Sequence, residues 1–151
     1  SSEYLYKYHK VQHSPAPHVN LGEEFDLCTA LMQVIREGLV KSAHDVSEGG
    51  LAMNLLESSF HRDLGFSILL DDSVRADSFL FGEWGGRAVV SVSLKKQDEF
   101  EETMEAHKVP LLVLGEVTRG NIDVDDEDFG HISEYKEIYM NAFAQKLGVN
   151  E

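Results

Sequence analysis

The sequence predicts an α+β fold (within the broad α/β class), a mixed β-sheet flanked by helices. Three observations predict it. Apolar residues at helical spacing alternate along the chain with short alternating or continuous apolar runs. Glycine, proline and paired aspartates punctuate those segments. The 151 residues are 42% hydrophobic and include eight Phe, enough apolar surface for a packed core.

The elements follow in order. Residues 1–19 are polar and aromatic without a clear period, and Pro15 and Pro17 hold their surroundings extended, so this stretch reads as a lead-in segment and residues 20–151 as the domain. Asn20 followed by Glu23 fits a helix N-cap with a reciprocating carboxylate, and Phe25, Cys28, Leu31, Met32 and Ile35 then fall on one helical face until Gly38 stops the helix. Val40 to Val46 reads as a strand. Ser47, Glu48, Gly49 and Gly50 lead into a second helix with Leu51, Leu55, Leu56 and Phe60 apolar. Phe66 to Leu70 is a short apolar run ended by Asp71 and Asp72, Ala76 to Phe81 a helical turn, and Arg87 to Leu94 alternates as a strand. Gln97 to His107 is a charged helix carrying Phe100 and Met104. Leu111 to Val117, after Pro110, reads as a strand covered on both faces, and Asn121 to Asp125 as an edge strand. A last helix spans Ile132 to Leu147.

Composition excludes several function classes. Thirteen Lys and Arg against 27 Asp and Glu leave a formal net charge of −14, which repels nucleic acid and anionic membrane surfaces. No apolar run approaches the ~20 residues that span a bilayer. Cys28 is the single cysteine, so it forms no internal disulfide and no Cys-based zinc site; its place in the apolar stripe marks it as a core residue, and the expected location is the cytoplasm. The chain starts at Ser1 and not at Met, so it is expected to be a piece of a longer protein.

Two stretches can carry chemistry. In Ser42-Ala43-His44-Asp45-Val46-Ser47-Glu48-Gly49-Gly50-Leu51 a polar strand end meets a glycine pair just before an amphipathic helix. Glycines let the main chain approach a ligand, and the N–H groups of a helix's first turn attract an oxyanion such as phosphate. Asp45 and Glu48 oppose a bare phosphate and can use the helix dipole themselves, so a phosphate loop and a structural cap both stay open. His44 is a possible ligand donor or a satisfied structural one. In Phe81-Gly82-Glu83-Trp84-Gly85-Gly86-Arg87, Glu83 and Arg87 either pair with each other or Arg87 points its fork at an anionic substrate. The acidic run Asp123, Asp125, Asp126, Glu127 and Asp128 fails as a calcium loop, because Asp128 stands where glycine is needed and no liganding Glu closes it. No Walker loop, Gly-x-Ser-x-Gly elbow, His-Glu-x-x-His or Gly-x-Gly-x-x-Gly is present.

The stretch Ser42 to Ala52 resembles the Gly-rich loop of the phosphoribosylformylglycinamidine synthase family, in its C-terminal domain of the aminoimidazole ribonucleotide synthetase type. Ser2-Glu3-Tyr4 resembles the end of the linker before that domain, Ile35-Arg36-Glu37-Gly38-Leu39-Val40 its first helix end, Phe81-Gly82-Glu83 with Arg87 its second loop, and Leu114-Gly115-Glu116-Val117-Thr118 a late strand. Glu48 departs from the family's usual Asp, and Trp84-Gly85-Gly86 from a more polar stretch. The resemblance implies a domain of the ATP- and glutamine-dependent ligase that converts formylglycinamide ribonucleotide to its amidine in purine biosynthesis, with Mg²⁺ in the full enzyme. It implies a phosphate- or substrate-facing set of His44, Asp45, Ser47, Gly49, Gly50, Glu83 and Arg87, with no catalytic or metal-ligating residue in this chain and no activity of the chain alone. The implied partners are the preceding nucleotide-binding domains of the same enzyme and a glutaminase domain or subunit. Two alternatives remain: the matching half of a thiamine-phosphate kinase or selenophosphate synthetase type enzyme, and a non-catalytic acidic module that recruits a basic partner.

Overall fold

The computed structural model describes residues 2–71 and 73–148. Ser1, residues 149–151 and Asp72, which the sequence reading put at a strand end, lie outside the described residues. The chain divides into two compact units: Ser1–Asn54 with Ser73–Val113, and Leu55–Asp72 with Leu114–Glu151.

In the first unit, helix α1 (Leu21–Arg36) starts as its sequence dictates. Asn20 Oδ1 accepts the Gly22 N–H at 3.0 Å, and the Asn20 amide donates to Glu23 at 2.9 Å, closing the expected cap through the two side chains. It stops at Gly38, where the Gly38 N–H reaches Ile35 O and the Leu39 N–H reaches Val34 O, satisfying carbonyls the helix end would orphan. Strand β1 (Val40–Asp45) pairs antiparallel with β3 (Ala88–Val92). Ala30, Val34 and Leu39 form one buried cluster with Phe100 and Met104 of α4 (Gln97–Ala106), and Val90 and Val92 of β3 pack against it. Helix α2 (Gly50–Phe60) gives its first turn to this unit and the remainder to the other, and α3 (Ala76–Phe81) buries Phe79.

The buried stripe of α1 is not the expected one. Leu27, Ala30, Leu31 and Val34 face inward, whereas Phe25 is 70% exposed and Met32, Ile35 and Cys28 are also exposed. Two apolar stripes overlap on this helix, and the one that α4 and the β1–β3 ribbon meet is the one that is covered. Cys28 is therefore not a core residue here.

The second unit holds a mixed four-stranded sheet in the order β4-β2-β5-β6, built from β2 (Gly65–Ile68), β4 (Gly115–Thr118), β5 (Asn121–Val124) and β6 (Glu127–His131). Helix α5 (Ile132–Leu147) follows, with Ile132 fully buried and Tyr139 against Phe60 at 5.1 Å between ring centroids. Two strand roles are reversed from expectation. β5 pairs parallel with β2 and antiparallel with β6, so it is an inner strand. The doubly covered strand expected at Leu111 to Val117 keeps only its last residues, as edge strand β4. Leu111, Leu112 and Val113 carry no strand pairing, and Val113 is 75% exposed. What makes β5 inner is β6, a strand hidden in the acidic run. Asp125 and Asp126 both adopt positive φ (52° and 63°) and make the two-residue hairpin turn that usually takes Asn-Gly, while Asp125 Oδ1 accepts the Leu70 N–H at 2.8 Å. Among the described residues no helix is long and apolar enough to cross a membrane.

Candidate functional site

All seven residues singled out in the sequence lie in the first unit, around the β1–α2 turn and the loop that leads into β3. The turn is forced by the glycine doublet. Gly49 and Gly50 have φ of +80° and +68°, conformations that side chains with a Cβ rarely adopt. Gly50 is buried against the carbonyls of Leu80 and Gly82. The helix therefore starts against the backbone of the second loop, which brings the two stretches together.

Both doublet amides have internal partners. The Gly50 N–H donates to Ser47 O at 3.0 Å, and the Gly49 N–H donates to Glu83 Oε1 at 2.9 Å. The same Glu83 oxygen accepts the Glu3 N–H at 2.8 Å. A carboxylate oxyanion thus sits where the sequence reading offers an amide to a phosphate, and it satisfies that N–H as a charged acceptor.

Glu83 and Arg87 do not pair. Arg87 turns back onto its own loop, donating to Gly82 O at 2.6 Å, reaching Trp84 O at 3.4 Å and stacking over the Trp84 ring at 3.7 Å. Burial pulls its guanidinium below the ordinary value. Trp84 folds over Gly82, where a Cβ would strike its ring. The fork binds carbonyls that the glycine-rich bend would otherwise leave open.

His44 and Asp45 are tied down by a residue the sequence reading missed. Asn54 is 2% exposed; its amide donates to Asp45 O at 2.6 Å, lies 3.2 Å from His44 O and meets His44 Nδ1 at 2.9 Å. Its Oδ1 is buried without a hydrogen-bond partner. The signal was present: a polar residue in the apolar stripe of α2, beside Leu51 and Leu55. The Asp45, Ser47 and Glu48 side chains are exposed, and the two carboxylates make the rim acidic. Among the described residues no group of three or more His, Cys, Asp or Glu is placed to hold a metal ion.

An α+β domain with a glycine doublet opening a helix against a second glycine-rich loop is the class these observations define. The sequence model for "AIR synthase related protein, C-terminal domain" matches residues 3–127, and the chain belongs to that family. Its relatives include the phosphoribosylformylglycinamidine synthase subunit PurL of Salinibacter ruber, 43% identical over 130 residues that make up 83% of this chain and 17% of that protein. The same subunit from Trichormus variabilis is 33% identical across 99% of this chain and 21% of its own length. The chain thus spans about a fifth of the relatives it matches. Among solved structures, Thermotoga maritima PurL complexed with FGAR superposes with a TM-score of 0.63 at 22% identity, over 75% of this chain and 21% of that one. The PurLQS complex of the same organism superposes with a TM-score of 0.62 at 23% identity, over 80% and 21%. These superpositions establish a shared fold.

Proposed function

We propose that this chain is the C-terminal, AIR synthase-type domain of a phosphoribosylformylglycinamidine synthase. The observation that carries the reading is the 43% identity to a PurL subunit across most of the chain, with both glycine-rich loops inside the matched family region. In this reading the whole protein is an ATP-dependent carbon–nitrogen ligase. ATP phosphorylates the amide oxygen of formylglycinamide ribonucleotide, ammonia from glutamine displaces the phosphate, and the amidine, ADP, phosphate and glutamate leave. Mg²⁺, the nucleotide-binding domains, the glutaminase and a cytoplasmic location belong to the whole protein. Residues 20–151 form the domain and residues 1–19 its lead-in.

The part assigned to this chain is one wall of a ligand cleft. His44, Asp45, Ser47, Gly49, Gly50, Glu83 and Arg87 line or hold that wall, and none of them acts on the reacting atoms. The backbone supports this division. Gly49 and Gly50 let the main chain pack close against Met53 and the 80–82 turn, where a Cβ would clash, while Asn54 and Arg87 fix the two loops by satisfying carbonyls.

The test is an assay of the full-length polypeptide that contains this chain. ADP release that requires both formylglycinamide ribonucleotide and glutamine or ammonia supports the reading. ATP consumption that requires thiamine phosphate, with ADP as product, or selenide, with AMP and phosphate as products, assigns the chain to another branch of the superfamily. Turnover by these 151 residues alone refutes the supporting role given to them.

A further inference from the structure

Glu83 makes contacts that neither loop's own geometry requires. One of its carboxylate oxygens accepts two backbone N–H groups from segments far apart in sequence, Gly49 at 2.9 Å and Glu3 at 2.8 Å. A carboxylate oxygen has two lone pairs and can accept both donors as charge-assisted hydrogen bonds. Around this point the N-terminal segment is fastened to the same loop. Tyr4 stacks on Phe81 with ring centroids 4.8 Å apart, Ser2 is buried, and the Ser2 hydroxyl accepts the Leu5 N–H at 3.2 Å. Beside the carboxylate lies a cavity of about 360 Å³ with Glu3, Tyr6, Gln12 and Ser14 in its wall, room into which the Glu83 side chain can turn.

We propose that Glu83 is a clasp: it is the resident anion of the glycine-doublet loop, and it ties the availability of the Gly49 amide to the position of the N-terminal segment. While Glu3 and Gly49 share the oxygen, Gly49 offers nothing to an external anion. When the segment moves, one of the two donors holding the carboxylate in place is lost, and the side chain is free to leave Gly49 for the cavity. This deepens the proposed function, on which its regulatory meaning rests, by making Glu83 a positioning residue for the loop and not a ligand of the substrate.

Glu3 permits a clean test. Its φ is −55°, which a proline ring accepts, so Glu3→Pro deletes the N–H and leaves Glu83 intact; Glu3→Gln keeps the N–H while removing the charge that pairs with Lys7. Hydrogen exchange of the Gly49 amide is read by NMR in the 151-residue chain, with Glu83→Ala as the full release. The clasp predicts faster exchange at Gly49 by about tenfold or more in Glu83→Ala, an intermediate increase in Glu3→Pro, and none in Glu3→Gln, since each lost bond to a charged acceptor is worth about a factor of ten. Far-UV circular dichroism checks folding, and Glu83→Met, which keeps the length of the side chain but has no acceptor oxygen, replaces Glu83→Ala if that variant unfolds.

Inorganic phosphate is then titrated into each variant while the Gly49 resonance is followed. A shift at about tenfold lower phosphate in the released variants supports the clasp and the anion-facing reading together. Faster exchange with no phosphate response in any variant keeps the clasp and counts against the anion-facing loop. Unchanged Gly49 exchange in Glu83→Ala and Glu3→Pro, or an equal phosphate response in wild type and variants, overturns the clasp.

Discussion

Replacing Gly50 by alanine should destabilise the chain far more than the same change at Gly38, although the two backbones are nearly alike. Their φ angles are +68° and +65°, so the penalty for placing a Cβ in the left-handed region, about 1–2 kcal/mol, applies equally. So does the opposing gain of about 0.4–1 kcal/mol from a stiffer unfolded chain. The surroundings differ. A Cβ on Gly38 would meet only Lys96 Nζ at 3.9 Å, whereas one on Gly50 would lie 2.7 Å from Leu80 O, 2.8 Å from Gly82 O and 2.8 Å from Phe81 C. Those neighbours are main chain and move only with the whole 80–82 turn, which adds an overpacking term of about 1–3 kcal/mol. The expected losses are about 1 kcal/mol for Gly38→Ala and about 2–4 kcal/mol for Gly50→Ala. Urea unfolding measures both. Trp84, the single tryptophan, folds over Gly82 in the affected turn and reports locally by fluorescence, alongside circular dichroism for the chain as a whole. Equal losses for the two variants would refute the claim that the second loop backs the glycine doublet.

Three further outcomes follow from the geometry. Lys108 occupies the left-handed position after α4 (φ +58°), with the Val109 N–H reaching Met104 O, so Lys108→Gly should stabilise the chain by about 0.5–1 kcal/mol in the same urea experiment. Asn54→Asp replaces a buried donor with an acceptor facing the carbonyls of His44 and Asp45, and should cost about 2–4 kcal/mol and raise the exchange rates of amides in the first turn of α2. The Arg75 guanidinium, hydrogen-bonded to Asp77, holds that exposed carboxyl below its ordinary 3.8. A lowered folded value means the contribution is present above pH 3.8 and fades as pH falls through the folded value. An NMR titration of the Asp77 carboxyl in Arg75→Gln should move its midpoint up toward 3.8, and an unmoved midpoint would remove Arg75 as the cause.

The local signals read in the sequence are those whose partners lie within a turn or two. Asn20 and Glu23 cap α1, Gly38 ends it, and the glycine doublet opens α2. Each of these hydrogen bonds is made whatever the remainder of the chain does, so periodicity and capping chemistry reveal it. The family's loops were likewise legible as residue strings, and relatives carrying the same name match most of the chain.

Packing decided the rest. Helical spacing gave α1 two apolar stripes, and only the packing of α4 and β3, more than fifty residues further along the chain, chose Ala30, Leu31 and Val34 over Phe25, Cys28 and Met32. The charges of β5 are those of an edge strand, yet pairing with β2 and β6 makes it inner, with β4 at the rim. The partner of Glu83 follows the same rule. Arg87, four positions on, was the natural candidate by sequence, but the carboxylate answers to amides 34 and 80 residues away. The amino-acid order sets which local hydrogen bonds and apolar faces are available, because those depend on neighbours along the chain. Which face is buried, which strand lies inside and which charge meets which amide depend on distant segments competing for the same contacts, and that competition is settled only when the chain is folded.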